Sequence, residues 1–212
     1  MARFLVVLDV DSTLIDDEVI ELLAEEAGSR ELVADITSRA MNGELDFTQS
    51  LHSRVRTLAG LPISAFDTVR ERVSITTGVS EMIAGIHAAG GRVGVVSGGF
   101  GEIVEHLAND LKLDYWRANR LEITGQTLSG TLTGPIIDAE AKAVALAEWA
   151  AHCDVPLART VAIGDGANDL RMMEIAGLSV AFDAKEPVRA RADVAMSGRD
   201  LSQVLPLLGL RG

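Results

Sequence analysis

The 212-residue sequence contains little of several features that would assign a chain to a specialised class. Its single cysteine, Cys153, excludes an intrachain disulfide, and we expect this side chain to be a small, partly buried apolar group and not a nucleophile. It has only five prolines and few low-complexity stretches, which argues against long disordered tails. One compact domain, or one domain with a sizeable insertion, is therefore expected.

Long apolar runs and basic residues are also scarce. No apolar run approaches the roughly 18 residues of a membrane span, and no charged segment followed by an apolar one opens the chain. Lys and Arg number 19 against 31 Asp and Glu, giving a formal net charge of -12 that disfavours nucleic-acid binding. We expect a soluble, cytoplasmic protein with no membrane or nucleic-acid partner, whose oligomeric state the sequence does not indicate.

Common cofactor motifs are missing as well. The four histidines show no zinc-ligand spacing such as H-E-x-x-H, so zinc chemistry is not expected. There is no G-x-x-x-x-G-K-[ST] loop, and the turn after the first strand contains no glycine. Nucleotide binding of the P-loop or dinucleotide type is therefore disfavoured.

What the sequence does contain is an alternation of strand-like and helix-like segments, which predicts α/β architecture. After a first strand at residues 4–8, a block of helical segments follows, at 18–27, 31–41, 47–58 and 64–73. Such a block is too long for a single crossover. We therefore predict a Rossmann-like parallel-sheet core formed by residues 1–15 and 74–212, with a helical-bundle cap inserted at 16–73. Because the first strand begins near Arg3, no further domain is expected before the core.

The rest of the core is predicted to continue the alternation. Residues 121–132 alternate in polarity and contain turn residues, so they predict a small β-hairpin. The other predicted elements are helices at 80–89, 101–111, 139–153, 169–176 and 201–208, and strands at 91–97, 113–116, 160–164 and 178–182.

Asp9 and Asp11 are the most informative residues, because they follow the first apolar strand directly. Open α/β sheets build their sites at the carboxyl ends of such strands. Paired carboxylates there repel one another and are costly to desolvate, and a divalent cation usually offsets that cost. A solvated acidic turn is the alternative for an isolated D-x-D sequence.

Two other strand ends carry similar residues. Ser97 and Gly98 follow a strand and precede a helix, where exposed N–H groups form an anion site, although S-G-G alone is often an ordinary turn. Residues 164–169, in the pattern G-D-G-x-N-D, place Asp165, Asn168 and Asp169 after a strand, which favours a metal site over a simple turn.

Taken singly, charged residues such as Lys142, Glu18 and Arg54 are usually solvated surface groups. In order along the chain, however, D-x-D-S-T, Ser97-Gly98, Lys142 and G-D-G-x-N-D resemble the motifs of the haloacid dehalogenase-like hydrolase superfamily. The resemblance covers essentially the whole chain. The cap segments 9–24, 41–47 and 50–55 are similar to those of its phosphoserine-hydrolysing branch.

The resemblance implies a phosphatase that forms an aspartyl-phosphate on Asp9, with Asp11 as general acid and base. It implies Mg²⁺ held by Asp9, the backbone carbonyl of Asp11 and Asp165, with Asp169 in a supporting role. The phosphoryl group would be held by Ser97, Gly98, Lys142 and Asn168.

The resemblance also implies the substrate, O-phospho-L-serine, and a place at the last step of serine biosynthesis. In the cap, Glu18 would pair with the substrate ammonium and Arg54 with its carboxylate, while Met41 and Phe47 would give apolar cover. Cap closure would gate access.

Two alternatives remain open from the sequence. The same chemistry could act on another small phosphomonoester, or transfer the phosphoryl group to an alcohol such as homoserine. A non-catalytic phosphate or metabolite binder on the same fold is the second alternative, although Asp9, Asp11 and Asp165 are all present.

Overall fold

The computed structural model describes residues 2–41 and 44–210, without the side chain of Met41. Within those residues, seven strands form one sheet: β1 (Leu5–Leu8), β2 (Arg92–Phe100), β3 (Tyr115–Thr124), β4 (Thr127–Thr133), β5 (Thr160–Gly164), β6 (Leu178–Phe182) and β7 (Val194–Met196). The helices are α1 (Val19–Glu26), α2 (Arg30–Met41), α3 (Phe47–Arg56), α4 (Ala65–Arg72), α5 (Val79–Ala88), α6 (Gly101–Asp110), α7 (Ala139–His152), α8 (Leu170–Ile175), α9 (Glu186–Arg189) and α10 (Val204–Leu207).

The strand order β4-β3-β2-β1-β5-β6-β7 places β1 in the middle of the sheet. The pairs along this order are parallel except β3 with β4, which are antiparallel. Leu5 to Leu8 are completely buried, as expected of a strand covered on both faces. The order reverses at β1, with β2 on one side and β5 on the other, and this is the point where open α/β sheets bind ligands.

The helices α1 to α4 form an insertion between β1 and α5, and the chain leaves and re-enters the core at one place. Ile15 pairs with Ile75 in an antiparallel bridge, and the Asp16 N–H donates to the Ser74 carbonyl at 2.9 Å. These crossings lie at the predicted boundaries of the cap. The division into two domains at these residues stays a prediction.

The insertion also contacts the sheet away from that crossing. Backbone hydrogen bonds join Gly60 N to Leu128 O (2.8 Å) and Leu128 N to Leu61 O (2.9 Å), so the segment after α3 pairs with β4. One hydrophobic cluster includes Leu8 of the sheet together with Leu51 of the insertion. Apolar burial and backbone hydrogen bonds therefore both hold the insertion over one end of the sheet.

The α/β class is confirmed, and most element boundaries differ from prediction by one or two residues. Three predictions were wrong in detail. The strand at 113–116 and the first half of the hairpin are one continuous strand, β3, which pairs with β2 through its first half and with β4 through its second. The helices predicted at 169–176 and 201–208 each begin with a 3₁₀ turn, Ala167–Asp169 and Leu201–Gln203.

Short elements were missed altogether. The strand β7 has three residues and the helix α9 has four, too few to display a hydrophobic period. Residues Val10–Leu14, for which no element was predicted, form one wide turn that is closed by a hydrogen bond from the Ile15 N–H to the Val10 carbonyl (3.0 Å) and in which Ser12 has a φ of 57°. None of the helices within residues 2–41 and 44–210 has the length and apolar character needed to cross a bilayer.

Candidate active site

The two loops at the carboxyl ends of β1 and β5, together with α7, bring Asp9 and Asp169 into direct contact with Lys142. The Lys142 Nζ lies 2.7 Å from Asp9 Oδ1 and 2.7 Å from Asp169 Oδ1. Lys142 and Asp169 are completely buried, and Asp9 is 5% exposed. Lys142 is therefore not a solvated surface group, as single lysines on helices usually are, and its charge is balanced by two carboxylates.

The Asp9 carboxylate is held from two sides. Its Oδ1 accepts a hydrogen bond from the Val10 N–H (2.7 Å) and also faces the Lys142 Nζ. Since both contacts use the same oxygen and the residue is buried, the carboxylate has a fixed orientation at the end of β1. Such fixed orientation is what a nucleophile needs.

The Asp11 carboxylate lies on the opposite side of the turn and contacts the insertion and β2. Its Oδ1 accepts from the Val19 N–H at 2.8 Å, at the start of α1, and its Oδ2 accepts from the Ser97 hydroxyl at 3.0 Å. Ser12, the next residue along the chain, has a positive φ of 57°, and its hydroxyl donates to the Glu18 carboxylate.

A group of acidic oxygens at this edge of the sheet could hold a metal ion. One carboxylate oxygen each from Asp9, Asp165 and Asp169 lies within 4.8 Å of the others. The Thr13 hydroxyl donates to Asp165 Oδ1 at 3.1 Å, and the Gly166 N–H donates to Asp169 Oδ2 at 3.1 Å. An all-oxygen donor set of this kind fits a hard divalent cation such as Mg²⁺.

Burial and mutual repulsion shift the pKa values of this group. Burial, followed by the charge of Asp9, raises the pKa of Asp11 to about 6 and that of Asp165 to about 6. Burial opposes the charge of Lys142, but the carboxylates of Asp169 and Asp9 outweigh it and raise the lysine's pKa. The site thus combines a permanently charged lysine with carboxyl groups that protonate close to neutral pH.

A cavity of about 530 Å³ lies between this edge of the sheet and the insertion. Its walls are formed by Asp9, Asp11, Glu18, Ile20, Thr37, Ala40, Leu45, Phe47, Ser50, Leu51, Arg54, Gly98, Gly99, Phe100, Ala139, Asp165, Gly166, Ala167 and Asn168. Asp9, Asp11 and Asp165 therefore face the same space as the predicted substrate residues of the cap, whereas Asp169 is buried behind them.

On the cap side, Arg54 and Glu18 present opposite charges to the cavity. The Arg54 Nε is buried and has no hydrogen-bond partner among the described residues. Burial lowers the pKa of Arg54, an effect that the charges of Glu18 and Asp11 oppose. The Glu18 carboxylate accepts from the Ser12 hydroxyl at 2.7 Å. Desolvation of this carboxylate by the protein atoms around it, followed by the charge of Asp11, raises its pKa to about 8.

The remaining predicted residues lie around this cavity. Gly98 and Asn168 line it, whereas Ser97 is completely buried behind its wall. Phe47 lies over Gly98, where a Cβ atom would come within 3.0 Å of the Phe47 Cζ, so the cap contacts the glycine-rich turn directly. The side chain of Met41 lies outside the described residues.

Sequence reasoning missed several supporting residues. Ser12 and Thr13, which hold Glu18 and Asp165, belong to the D-x-D-S-T pattern, but no role was predicted for them. Asn119 on β3 joins the Gly98 loop to the start of α7 by hydrogen bonds from one side-chain amide. It lies between the predicted strand at 113–116 and the predicted hairpin at 121–132, so no signal in the sequence pointed to it.

Comparison with known proteins agrees with this geometry. The model of one family, described as haloacid dehalogenase-like hydrolase, matches residues 6–174. A phosphoserine phosphatase of Streptomyces coelicolor is 53% identical over 209 residues, which cover 99% of this chain and 51% of that protein. A phosphoserine phosphatase of Streptococcus thermophilus is 47% identical over 204 residues, covering 96% of this chain and 95% of that protein.

A solved structure is similar over nearly its whole length. The phospho-aspartyl intermediate analogue of a phosphoserine phosphatase superposes with a TM-score of 0.92 at 40% identity, covering 98% of this chain and 99% of that one. The chain thus spans about half the length of its Streptomyces relative but nearly all of its Streptococcus relative and of this structure.

Proposed function

Because this chain belongs to the haloacid dehalogenase-like hydrolase family, we propose that it hydrolyses O-phospho-L-serine to L-serine and phosphate, the last step of serine biosynthesis. The observation that carries the choice of substrate is the buried Arg54 Nε, which no described residue satisfies. A buried N–H of a guanidinium group without a partner is costly, and a carboxylate ligand would recover that cost. The naming of two close relatives as phosphoserine phosphatases supports the same substrate.

The cap charges fit the two ends of an amino acid. Arg54 would bind the substrate carboxylate and Glu18 its ammonium group. An ammonium group beside Glu18 would stabilise the ionised form of a carboxyl group whose pKa is otherwise raised. Phe47, and Met41 by resemblance, would cover the substrate and exclude water when the cap closes.

In the first chemical step, a carboxylate oxygen of Asp9 would attack the phosphorus while the bond from phosphorus to the serine oxygen breaks. The product on the enzyme is an aspartyl-phosphate. Asp11 would donate its proton to the departing serine oxygen. A carboxyl group with a pKa of about 6 keeps a usable protonated fraction near neutral pH.

In the second step, Asp11 would take a proton from water, and the water oxygen would attack the phosphorus. The bond from phosphorus to Asp9 then breaks, phosphate leaves, and Asp9 is a carboxylate again. Asp11 returns to its protonated form, so the cycle is balanced without a further reactant.

The acidic oxygens fit Mg²⁺, which we propose is held by Asp9, Asp165 and the backbone carbonyl of Asp11. When bound, the ion would offset the repulsion between an anionic nucleophile and an anionic phosphate. Both oxygens of Asp169 already accept from protein groups, one from Lys142 and one from the Gly166 N–H. This arrangement suits Asp169 to a supporting role, in which it holds Lys142.

The phosphoryl oxygens would be held by Lys142, the Gly98 N–H and Asn168, while Ser97, whose hydroxyl proton is already donated to Asp11, would support them from behind the cavity wall. These donors lie on separate elements that the sheet edge brings together. Since Lys142 is already fixed by two carboxylates, it needs no reorganisation to meet developing charge.

The test is phosphate release from a panel of small phosphomonoesters, with Mg²⁺ or with EDTA, for the intact protein and for Asp9→Asn. We expect phosphoserine to lead the panel by orders of magnitude, and activity to fall at least about 10⁴-fold in the variant. Asp183→Asn is the matched control, because Asp183 also follows a strand at the same edge but is exposed. A flat panel with the same dependence on Mg²⁺ and Asp9 would retain the phosphatase and exclude phosphoserine as its particular substrate.

A further inference from the structure

A buried asparagine on β3 stands beside an interruption of the β2–β3 ladder. Val96 pairs with Arg117, and the next pair is Phe100 with Asn119, so β2 advances by more residues than β3 between the two pairs. Such a bulge deprives buried backbone groups of their ladder partners, and those groups must be satisfied in another way. Asn119 is 1% exposed and lies where this need arises.

The Asn119 side chain satisfies backbone groups on both sides of it. Its Nδ2 donates to the Gly98 carbonyl at 2.8 Å, and its Oδ1 accepts from the Ile137 N–H at 2.8 Å. Ile137 directly precedes Asp138, the N-cap of α7, the helix that carries Lys142. One amide thus fixes the glycine-rich turn and the start of the helix behind the nucleophile.

Hydrogen bonds continue from this turn to Asp11. The Gly98 carbonyl and the Gly99 N–H belong to one planar peptide unit, so fixing one fixes the other. The Gly99 N–H donates to the Ser97 Oγ at 2.7 Å, and the Ser97 hydroxyl donates to Asp11 Oδ2 at 3.0 Å. We propose that Asn119 is a positioning residue, which holds the Gly98–Gly99 peptide and thereby orients the carboxyl group of Asp11 for proton transfer. The inference rests on the proposed function in giving Asp11 that role.

The turn has little room to compensate if this support is lost. A Cβ atom on Gly99 would lie 2.6 Å from Asp11 Oδ2 and 2.9 Å from the Ser97 Oγ. Little space therefore separates Gly99 from the carboxylate, and we expect a rotation of the Gly98–Gly99 peptide to move Asp11 or weaken its bond to Ser97. A displacement of about 1 Å in a supporting group is enough to slow catalysis about 100-fold.

The loss of activity on removing the Asn119 side chain should be large only for esters that need a general acid. A serine alkoxide is a poor leaving group and requires a proton from Asp11, whereas nitrophenolate leaves with little help. We expect Asn119→Ala to lower kcat/KM for phosphoserine roughly 10- to 100-fold. We expect a loss of about 3-fold or less for p-nitrophenyl phosphate, because kcat/KM for that ester reports only the step in which the leaving group departs.

The matched control is Ser179→Ala. Ser179 is a buried polar residue that also bridges two segments, since its hydroxyl donates to Asp193 Oδ2 and accepts from the Asp193 N–H, away from the cavity. If Asn119 only supported the fold, each of the two variants would lower turnover of phosphoserine and of p-nitrophenyl phosphate by the same factor. Equal proportional losses in Asn119→Ala would overturn the proposal.

A nearly isosteric variant provides a rescue. In Asn119→Asp, a neutral carboxyl group can donate to Gly98 and accept from Ile137 as the amide does, whereas the ionised group cannot donate. Burial raises the pKa of the introduced group, so its neutral form persists to mildly acid pH. We expect the ratio of variant to wild-type kcat/KM for phosphoserine to rise as the pH falls, while the ratio for Asn119→Ala stays flat. A flat ratio for both variants would contradict the proposal.

Amide hydrogen exchange tests the geometry without any turnover. In Asn119→Ala we expect faster exchange at Gly99 and Ile137, and in Ser179→Ala at Asp193 only. If the wild type hydrolyses no phosphoserine, the proposed function fails, and the exchange pattern together with the leaving-group dependence on aryl phosphates still decides the role of Asn119. Unchanged protection at both amides would overturn it.

Discussion

The cavity has two walls that hold their charged groups in different ways. On the core wall, Asp9, Lys142 and Asp169 are buried and satisfy one another at 2.7 Å. On the cap wall, the Arg54 Nε is buried without a described partner, and Glu18 remains open to the cavity. A wall whose charges are already paired suits chemistry common to every ester, and a wall with an unmet charge suits recognition of one ligand.

The largest effect should come from the core wall. Lys142→Met keeps the length of the side chain but leaves Asp9 and Asp169 without their cation. We expect kcat/KM to fall roughly 10³-fold for every phosphomonoester, since a donor to the transition state is lost. We also expect unfolding free energy to fall by about 3–5 kcal/mol, because buried charges lose their partner.

Steady-state kinetics and urea unfolding measure the two effects of Lys142→Met. Lys112→Met is the control, because Lys112 is exposed on the surface. The contrast between the walls would be broken if the loss depended on the ester, since that pattern belongs to the cap.

The cap wall should give the second-largest effect, and only on the matching substrate. Arg54→Ala should weaken kcat/KM for phosphoserine by roughly 2–4 kcal/mol, as when one partner of a buried charge pair is removed. The loss on phosphoethanolamine, which keeps the ammonium group but has no carboxylate, should be far smaller. Equal losses on both substrates would remove Arg54 from the specificity role.

Two further variants sharpen the measurement on Arg54. Arg56→Ala serves as the control, because Arg56 lies on the same helix and is exposed. Glu18→Gln should show the reverse preference, losing more on phosphoserine than on an ester that keeps the carboxylate and lacks the ammonium group.

The difference between the walls also explains how far the sequence could predict this site. Asp9 and Asp165 follow apolar strands and Ser97 lies in the last part of β2, so parallel strands bring all three to one edge and a sequence pattern suffices to group them. Glu18 directly precedes α1 and Arg54 lies on α3, and the placement of these helices over that edge depends on tertiary packing. Their assignment came from resemblance to a family and not from periodicity.

Asn119 and Ser12 could not be predicted for a different reason. The role of Asn119 depends on a bulge in β2, which leaves the Gly98 carbonyl without a ladder partner, and no local pattern marks that register shift. Such a register shift becomes visible only when the strands are paired. Ser12 acts through its hydroxyl, which donates to Glu18 from a residue of positive φ, and the local sequence does not mark that contact.

A smaller effect should link the acidic group to pH. The pKa of Asp11 and that of Asp165 rise from an ordinary value of 3.8 to about 6 in the folded protein. Between these values the folded state binds more protons than the unfolded state, so unfolding free energy falls as the pH rises from about 4 to 6. In metal-free protein we therefore expect the melting temperature to be lower at pH 7.5 than at pH 5.

Mg²⁺ should reverse this trend, because the site that we propose for it consists of ionised carboxylates. At pH 7.5, ten to a hundred times its Kd should add roughly 1–3 kcal/mol of stability, and much less at pH 5, where protons compete. Thermal unfolding with and without Mg²⁺ measures the difference. Asp165→Asn should remove most of the Mg²⁺ increment and Asp183→Asn should keep it; an increment that persists in Asp165→Asn would exclude Asp165 as a ligand.

The smallest effect compares the helix starts behind the two walls. Asp46 caps α3, which carries Arg54, by accepting from the Gln49 N–H at 2.8 Å, and Asp138 caps α7, which carries Lys142, by accepting from the Ala141 N–H at 2.9 Å. Asp46→Ala and Asp138→Ala should each cost about 1 kcal/mol of stability, and replacement by Asn, which caps equally well, should cost little.

The effects of Asp46→Ala and Asp138→Ala on catalysis should differ. The start of α7 is also held by the bond from the Ile137 N–H to Asn119, so Asp138→Ala should leave kcat within about 2-fold of wild type, whereas Asp46→Ala should raise KM for phosphoserine about 2- to 3-fold. A larger loss of kcat in Asp138→Ala than in Asn119→Ala would show that the N-cap residue Asp138, and not Asn119, fixes the start of α7.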